Sequence, residues 1–248
     1  MSFLPESDRY AFMQKRHVHI HDCDATCRLR LASALQYVES ISTGHLEAMN
    51  LGHARLYGEG IVFVLAAQAI KVHRLPDIYN DVVIKTCPAA YQGAQMVRES
   101  VILSEALEPL IEVQASWVMI DPVRRKPLRA SAFTYPLPAL ENWQPFYNPA
   151  KMKLTRATTP VMQRDVLYSQ LDINRHMNNT VYADVVMDAL PPEDSLGRTA
   201  DTLLIRLRHE TRAGERLDIF RDPCERGYLV SALVGDEVCF EAQVTFKD

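Results

Sequence analysis

The chain has 248 residues, of which 48% are apolar and 23% charged, so it has the composition of a globular protein with a buried core. Its formal net charge of −4 disfavours nucleic acid as the main partner, and no apolar run approaches the ~20 residues that a membrane-spanning helix needs. Five cysteines without a C-x-x-C pair favour free thiols over a disulfide framework.

The first half of the chain has the pattern of a strand, a helix and further strands. Alternation over His17–Cys23 predicts the first strand. A helix is predicted over Leu31–Asn50, with Gly52 placed to stop it. Strand-like runs follow, separated by turn signals; they are Gly60–His73, Asp81–Thr86, Gln95–Leu103 and Leu110–Ile120. A proline-rich stretch, Tyr135–Pro160, then has the composition of a connector.

The second half repeats this order. A strand is predicted over Val161–Leu171, and Asn178 or Asn179 is suited to cap a helix that Pro191–Pro192 ends. The buried stripe of that helix is Val181, Tyr182, Val185, Val186 and Ala189. Four further strands are predicted; they are Thr202–His209, Arg216–Phe220, Gly227–Val234 and Glu237–Phe246.

A constant offset relates the two halves. Arg16–Asp24 aligns with Arg164–Asp172, and both end residues are separated by 148 positions (164 − 16 and 172 − 24). One helix followed by several strands, twice, predicts an α+β class in which an antiparallel sheet wraps around each helix. The constant offset favours this organisation over a single mixed α+β domain with a chance repeat.

Polar residues are concentrated where the first strand of the second copy gives way to its helix. The alternating Asp172, Asn174 and His176 place three polar side chains on one side of an extended segment. The first N–H groups of the following helix lack partners inside the helix and suit an oxyanion. Each residue alone has an ordinary structural explanation, but their joint occurrence predicts a site.

This segment, Asp-x-Asn-x-His-x-Asn-Asn-x-x-Tyr from Asp172 to Tyr182, resembles the signature of the acyl-acyl carrier protein (acyl-ACP) thioesterases of plants and bacteria. A shorter form of the motif also occurs in single-domain acyl-CoA thioesterases. Two further segments are similar to that family. Arg208–Arg212 matches the stretch with a catalytic glutamate, which implies Glu210, and Ala115–Pro127 matches its Trp-x-x-Ile-Asp…Arg-Arg-Pro stretch.

The resemblance implies a tandem hot-dog fold that hydrolyses acyl-ACP with Asp172, Asn174, His176 and Glu210 as catalytic residues. It further implies an N-terminal hot-dog over 1–135 that accommodates the acyl chain, a connector over 136–160 and a catalytic hot-dog over 161–248. The first copy has lost the polar set, since Thr26 and Arg28 stand in place of Asn174 and His176 at the constant offset.

A water nucleophile is expected, because Thr211 stands where plant members often have a cysteine. No cofactor or metal is expected; a zinc site at the alternating His17, His19 and His21 lacks a matching second cluster. The expected partner is acyl carrier protein bearing a fatty acyl chain, with no nucleic acid and no membrane insertion. A second copy of the chain, forming a homodimer, is a further possible partner. The N-terminus lacks the features of a secretory signal, which predicts a cytoplasmic protein.

Three alternatives share the fold: an acyl-CoA thioesterase, a hydratase of acyl thioesters and a non-catalytic acyl-thioester-binding protein. Because acyl carrier protein is acidic, a basic docking patch is expected. The densest basic cluster is Arg124, Arg125, Lys126 and Arg129, and the second is Lys151, Lys153 and Arg156. Both clusters are equally compatible with solvated turns.

Overall fold

The computed structural model describes residues 2–3, 12–92, 94–137 and 143–247. The chain forms two compact units. The first consists of Met1–Gln68 and His73–Lys151, and the second of Ala69–Val72 and Met152–Asp248.

The first unit contains an antiparallel sheet and two helices, α1 (Leu31–Ala48) and α2 (His53–Gly58). Its strands are β1 (Ser2–Phe3), β2 (Phe12–His17), β3 (Val62–Val72, of which 69–72 belong to the second unit), β4 (Asp81–Gln92), β5 (Gln95–Ser104), β6 (Pro109–Asp121) and β7 (Lys126–Pro127). They follow the order β1-β2-β4-β5-β6-β3, and β7 pairs with β6. The pairs from β1 through β6 are antiparallel.

The second unit has the same strand order. Its helices are α3 (Val181–Asp188) and α4 (Pro192–Gly197), and its strands are β8 (Pro160–Asp165), β9 (Ala200–Leu207), β10 (Arg216–Cys224), β11 (Gly227–Val234) and β12 (Glu237–Phe246). The order β8-β10-β11-β12-β9 corresponds strand for strand to β2-β4-β5-β6-β3. β8 lies 148 positions after β2 at both ends (160 − 12 and 165 − 17), which is the offset seen in the sequence.

Helix α1 packs against the sheet through an apolar stripe. Leu31, Leu35, Val38 and Ile41 are buried, and α1 contacts β2, β4, β5 and β6. The helix ends at Ala48 and not at Asn50. Asn50 adopts a left-handed conformation (φ 58°) that turns the chain, so the predicted stop at Gly52 is wrong, and Gly52 instead precedes α2.

The predicted bounds of both first strands are wrong: β2 shares only His17 with the predicted His17–Cys23, and β8 covers only the first part of the predicted Val161–Leu171. β2 ends at His17 and is followed by a 3-10 turn at Ile20–Asp22, and β8 ends at Asp165 before a 3-10 turn at Tyr168–Gln170. In the first turn, the Asp22 carboxylate accepts the backbone N–H of His19 (2.9 Å). His17, His19 and His21 therefore do not alternate on one strand, although neighbouring rings lie 5.0 Å and 5.4 Å apart.

Other boundaries depend on pairing that the sequence pattern does not reveal. β4 continues past Thr86 to Gln92 because a register shift between Pro88 and Ala90 accommodates the proline. Pro192 begins the short helix α4 and does not simply end α3. β11 and β12 have the predicted bounds.

A buried polar group lies where α1 meets the sheet. His45 is 1% exposed and stacks on Phe12 with ring centroids 5.4 Å apart. Its Nδ1 lies 3.3 Å from Nη1 of buried Arg98, which also donates to Thr86 Oγ1 (3.1 Å). Burial, and secondarily the charge of Arg98, lower the pKa of His45 to about 4. His45 is therefore neutral at physiological pH and accepts a hydrogen bond from Arg98.

We predict that His45 lowers the free energy of unfolding of the first unit at acidic pH. Between about pH 6.5 and about pH 4, His45 binds a proton in the unfolded chain but not in the folded one, so the free energy of unfolding falls as pH falls through this window. The shift corresponds to at most about 3 kcal/mol. Denaturant unfolding from pH 7 to pH 4 should show this slope in the wild type and lose it in His45→Gln. His53→Gln, at an exposed histidine of the same unit, should keep it.

A second prediction concerns Gly227, the first residue of β11. A Cβ added there would lie 1.9 Å from the backbone oxygen of Val244 and 2.9 Å from Cα of Thr245. Gly227→Ala should therefore lower the free energy of unfolding by about 1–3 kcal/mol or more, since the clash is with backbone of the paired strand. Gly197→Ala, where nothing lies within 4 Å, should be near neutral by the same thermal or denaturant measurement.

Candidate active site

The signature segment forms a tight turn around one carboxylate, so the predicted extended segment with three polar side chains on one side is wrong. Asp172 Oδ1 accepts the backbone N–H of Asn174 (2.8 Å) and of His176 (3.0 Å), and the Asn174 side chain donates to Asp172 Oδ2 (3.3 Å). The backbone closes the turn, since Asp172 N donates to His176 O (2.8 Å). Arg175 takes a left-handed conformation (φ 63°) inside it. The turn fixes the backbone direction at His176.

His176 contacts Glu210, although the two residues are distant in sequence. His176 Nε2 lies 3.3 Å from Glu210 Oε2, and their side chains are 22% and 37% exposed. An antiparallel bridge between His176 and Arg212, and a hydrogen bond from Met177 N to Thr211 O (2.7 Å), hold the two segments together. The pair is thus positioned by backbone pairing and stays accessible to a substrate.

Thr211 connects the glutamate segment to α3. Its side chain is fully buried, and Thr211 Oγ1 lies 3.0 Å from the hydroxyl of Tyr182, which is itself buried and packs on the edge of Phe240. Burial raises the pKa of Tyr182 to about 12, so the phenol stays protonated. Tyr182, the tyrosine of the signature, is therefore buried, and its contact with Thr211 supports the segment that carries Glu210.

The residues before α3 form a turn in which Asn178 acts as an acceptor. Asn178 Oδ1 accepts from Thr180 N (2.8 Å) and Thr180 Oγ1 (2.7 Å), and Thr180 is the residue that precedes the helix. Among the described residues, the backbone N–H groups of Asn179 and Tyr182 have no hydrogen-bond partner. These two donors lie at the positive end of the α3 dipole.

The first unit contains the same turn without the histidine–glutamate pair. Asp24 Oδ1 accepts from Thr26 N (2.7 Å) and Arg28 N (3.3 Å), and Cys27 is left-handed (φ 61°) as Arg175 is. Leu29 N donates to Pro76 O (2.9 Å) where Met177 N donates to Thr211 O. This correspondence pairs Leu75 with Glu210.

The structure therefore brings together all four residues predicted from the signature and from the resemblance: Asp172, Asn174, His176 and Glu210. Two features of the site were missed by sequence reasoning: the buried contact of Thr211 with Tyr182, and Arg212 beside His176. The predicted basic residues Arg124, Arg125, Lys126 and Arg129 are exposed on and after the turn that joins β6 to β7. None of the helices in the described ranges is both long and apolar enough to span a membrane.

Comparisons with known proteins agree with this architecture. The model of the acyl-ACP thioesterase N-terminal domain matches residues 9–132, and that of the C-terminal domain matches residues 155–242. A chloroplastic acyl-[acyl-carrier-protein] hydrolase, FATB2 of Cuphea viscosissima, is 21% identical over 243 residues. The alignment covers 89% of this chain, and the chain spans only 58% of the length of that relative.

Solved structures show the same fold. An acyl-ACP thioesterase of Bacteroides thetaiotaomicron superposes with a TM-score of 0.88 at 20% identity, covering 98% of this chain and 100% of that one. A 12:0-ACP thioesterase from Umbellularia californica superposes with a TM-score of 0.76 at 13% identity, covering 95% and 96%. The predicted tandem hot-dog fold is thereby confirmed. By the match of both domain models, the chain belongs to the acyl-ACP thioesterase family.

Proposed function

We propose that the protein hydrolyses acyl-acyl carrier protein by attack of water on the thioester and releases a free fatty acid. The observation that supports this most directly is the contact between His176 and Glu210, 3.3 Å apart and partly exposed, beside the turn that holds Asp172 and Asn174. Family membership supports the same activity.

The His176–Glu210 pair is suited to activate water. Nε2 of His176 lies 3.3 Å from Glu210 Oε2, and an unprotonated imidazole nitrogen or a carboxylate oxygen can accept a proton. In the proposed step one of these atoms takes a proton from water as its oxygen bonds to the thioester carbonyl carbon. Collapse of the tetrahedral intermediate then breaks the C–S bond, and the protonated base returns its proton to the leaving sulfur, which departs as the thiol. General-base help of this kind contributes about two to four powers of ten in rate.

Donors for the developing oxyanion are at hand. We propose that the oxyanion accepts hydrogen bonds from the backbone N–H of Asn179, just before α3, and from the side-chain amide of Asn174. Asp172 has a different role, because its carboxylate already accepts backbone N–H groups of the turn. We therefore assign Asp172 as a positioning residue.

The nucleophile is water and not Thr211. In an extended segment neighbouring side chains point to opposite faces, and Thr211 is fully buried against Tyr182 while Glu210 is partly exposed. The pKa of the Cys239 thiol, also buried here, is raised mainly by burial, which disfavours a thiolate nucleophile.

The remaining expectations belong to the same proposal. The acyl chain lies in the N-terminal hot-dog over 1–135, the connector is 136–160, and 161–248 performs the catalysis. The protein acts in the cytoplasm, which accords with the absence of a disulfide among the five described cysteines.

The alternative acyl carrier is CoA. The ratio of the hydrolysis rates for one acyl chain on acyl carrier protein and on CoA distinguishes an acyl-ACP thioesterase from an acyl-CoA thioesterase.

The mechanism predicts the effect of removing either member of the pair. Glu210→Gln and His176→Ala should each lower kcat for thiol release from acyl-ACP by about 10²–10⁴-fold. Each variant should retain its folding, as judged by circular dichroism, because both side chains are partly exposed. His209→Ala, an exposed neighbour paired with Glu237, is the matched control and should keep kcat near the wild-type value. Near-normal turnover in both pair variants would refute the scheme.

The assignment of Thr211 gives a separate prediction. Thr211→Val leaves the buried Tyr182 hydroxyl without this partner, so the free energy of unfolding should fall by about 1–3 kcal/mol, and Thr211→Ser should restore it. The loss should be less than additive with that of Tyr182→Phe. Thiol release should persist in folded Thr211→Val. Loss of turnover as complete as in Glu210→Gln, with unchanged stability, would instead make Thr211 the nucleophile.

A further inference from the structure

An arginine beside the candidate active site lies on the same side of the backbone as the proposed catalytic pair. Arg212 is paired with His176 in an antiparallel bridge, and directly opposed residues of such a pair project to the same face. Glu210 lies two residues before Arg212 and reaches the His176 ring, so it projects to that face as well. The Arg212 side chain is exposed.

Two more arginines flank the same site. Arg175 occupies the left-handed position of the Asp172 turn, directly before His176, and Arg208 lies at the end of β9, two residues before Glu210. Both are exposed. Within the described ranges, the guanidinium groups of Arg175, Arg208 and Arg212 form no ion pair and no hydrogen bond.

Carboxylates close to these arginines are mostly engaged elsewhere. Glu215 accepts the backbone N–H of Arg212 (2.7 Å), and Glu237 pairs with His209 (3.2 Å). Asp172 is bonded within its own turn. These carboxylates keep their negative charge, so what distinguishes the site is its three exposed guanidinium groups, which no ion pair in the described ranges engages, on a chain whose formal net charge is −4.

Large apolar side chains are exposed in the same place. Ile173 is 80% exposed within the Asp172 turn, and Tyr168 is 90% exposed in the preceding 3-10 turn. A hydrogen bond from Asn178 N to Gln170 O (2.8 Å) joins this 3-10 turn to the residues that follow the Asp172 turn. We call Tyr168, Ile173, Arg175, Arg208 and Arg212 the signature surface. Exposed apolar residues rimmed by unpaired charges are typical of a surface that binds another protein.

We propose that the signature surface docks the acidic face of acyl carrier protein and so delivers the thioester to His176 and Glu210. This inference rests on the proposed function and names the contact surface for its partner. A protein with net negative charge repels an acidic partner at long range, and exposed guanidinium groups at the site offset this repulsion locally by binding the partner's carboxylates. Neither of the basic clusters predicted from the sequence includes these arginines, and the signature surface replaces them as the docking site.

The test compares one acyl chain on two thiols, acyl carrier protein and pantetheine, which lacks both the protein and the CoA phosphates. In Arg175→Glu/Arg212→Glu, kcat/KM for the acyl carrier protein ester should fall about tenfold or more relative to that for the pantetheine ester, mainly through KM. The dependence of the acyl carrier protein reaction on salt should also become weaker. A carrier in which acidic surface residues are changed to lysine should restore part of the loss.

Arg124→Glu/Arg129→Glu is the matched control, since it reverses two exposed charges of the cluster predicted from sequence. Its ratio of the two kcat/KM values should stay at the wild-type value. A fall in this control together with an unchanged ratio in Arg175→Glu/Arg212→Glu would overturn the proposal. Equal loss on both esters would also overturn it, because the arginines would then support the turn. If the double variant does not fold, Arg175→Gln and Arg208→Gln are compared singly with the same readout.

The outcome is separable from that of the proposed function. Wild-type hydrolysis of either ester is measured first, and failure on both refutes the enzyme assignment. Docking is then tested by titrating labelled acyl carrier protein with wild type and Arg175→Glu/Arg212→Glu. Weaker binding by the variant supports the surface, and equal binding refutes it. A wild type that prefers the CoA ester, with a preference lost in the variant, would assign the arginines to CoA phosphates and also refute the proposal.

Discussion

The structure of the site depends on one carboxylate that accepts two backbone N–H groups. Asp172 fixes the turn that leads into Met177. Met177 N donates to Thr211 O, and His176 of the same turn lies beside Glu210. Hydrogen bonds from backbone N–H groups to a charged acceptor are stronger than those to neutral groups. The turn also requires a left-handed residue, which costs free energy at Arg175 that the surrounding bonds must offset.

Comparison of the two copies separates the residues that hold the backbone of the turn from those proposed for the chemistry. Asp24 holds the same turn in the first unit, with Cys27 in the same left-handed conformation. Arg28 and buried Leu75 stand in the places of His176 and Glu210, so the first unit has the backbone of the candidate site without the histidine–glutamate pair. Because a turn and a sheet tolerate such replacements, a duplicated fold is free to keep its structure after losing one of two sites.

The buried and exposed faces of the glutamate segment have separate tasks. Thr211 faces the core and joins Tyr182, while Glu210 and Arg212 lie on the exposed side. One short extended stretch thus links the packing of α3, the proposed proton transfer and the proposed docking of a charged partner. Alternation of side chains along an extended backbone makes this possible without any additional element.

The sequence by itself determined the repeat, the helices that begin each core, and strands such as β11 and β12, because apolar alternation between turn residues is a local property. It also brought Asp172, Asn174 and His176 together as one candidate site, and the resemblance supplied Glu210. The sequence predicted an extended segment there, whereas the structure has a turn around the Asp172 carboxylate. Tertiary structure alone decided that β4 continues past Pro88, that both first strands stop early in 3-10 turns, and that His176 meets Glu210 and Thr211 meets Tyr182. These features depend on hydrogen bonds and packing between distant segments, which periodicity within one segment does not encode.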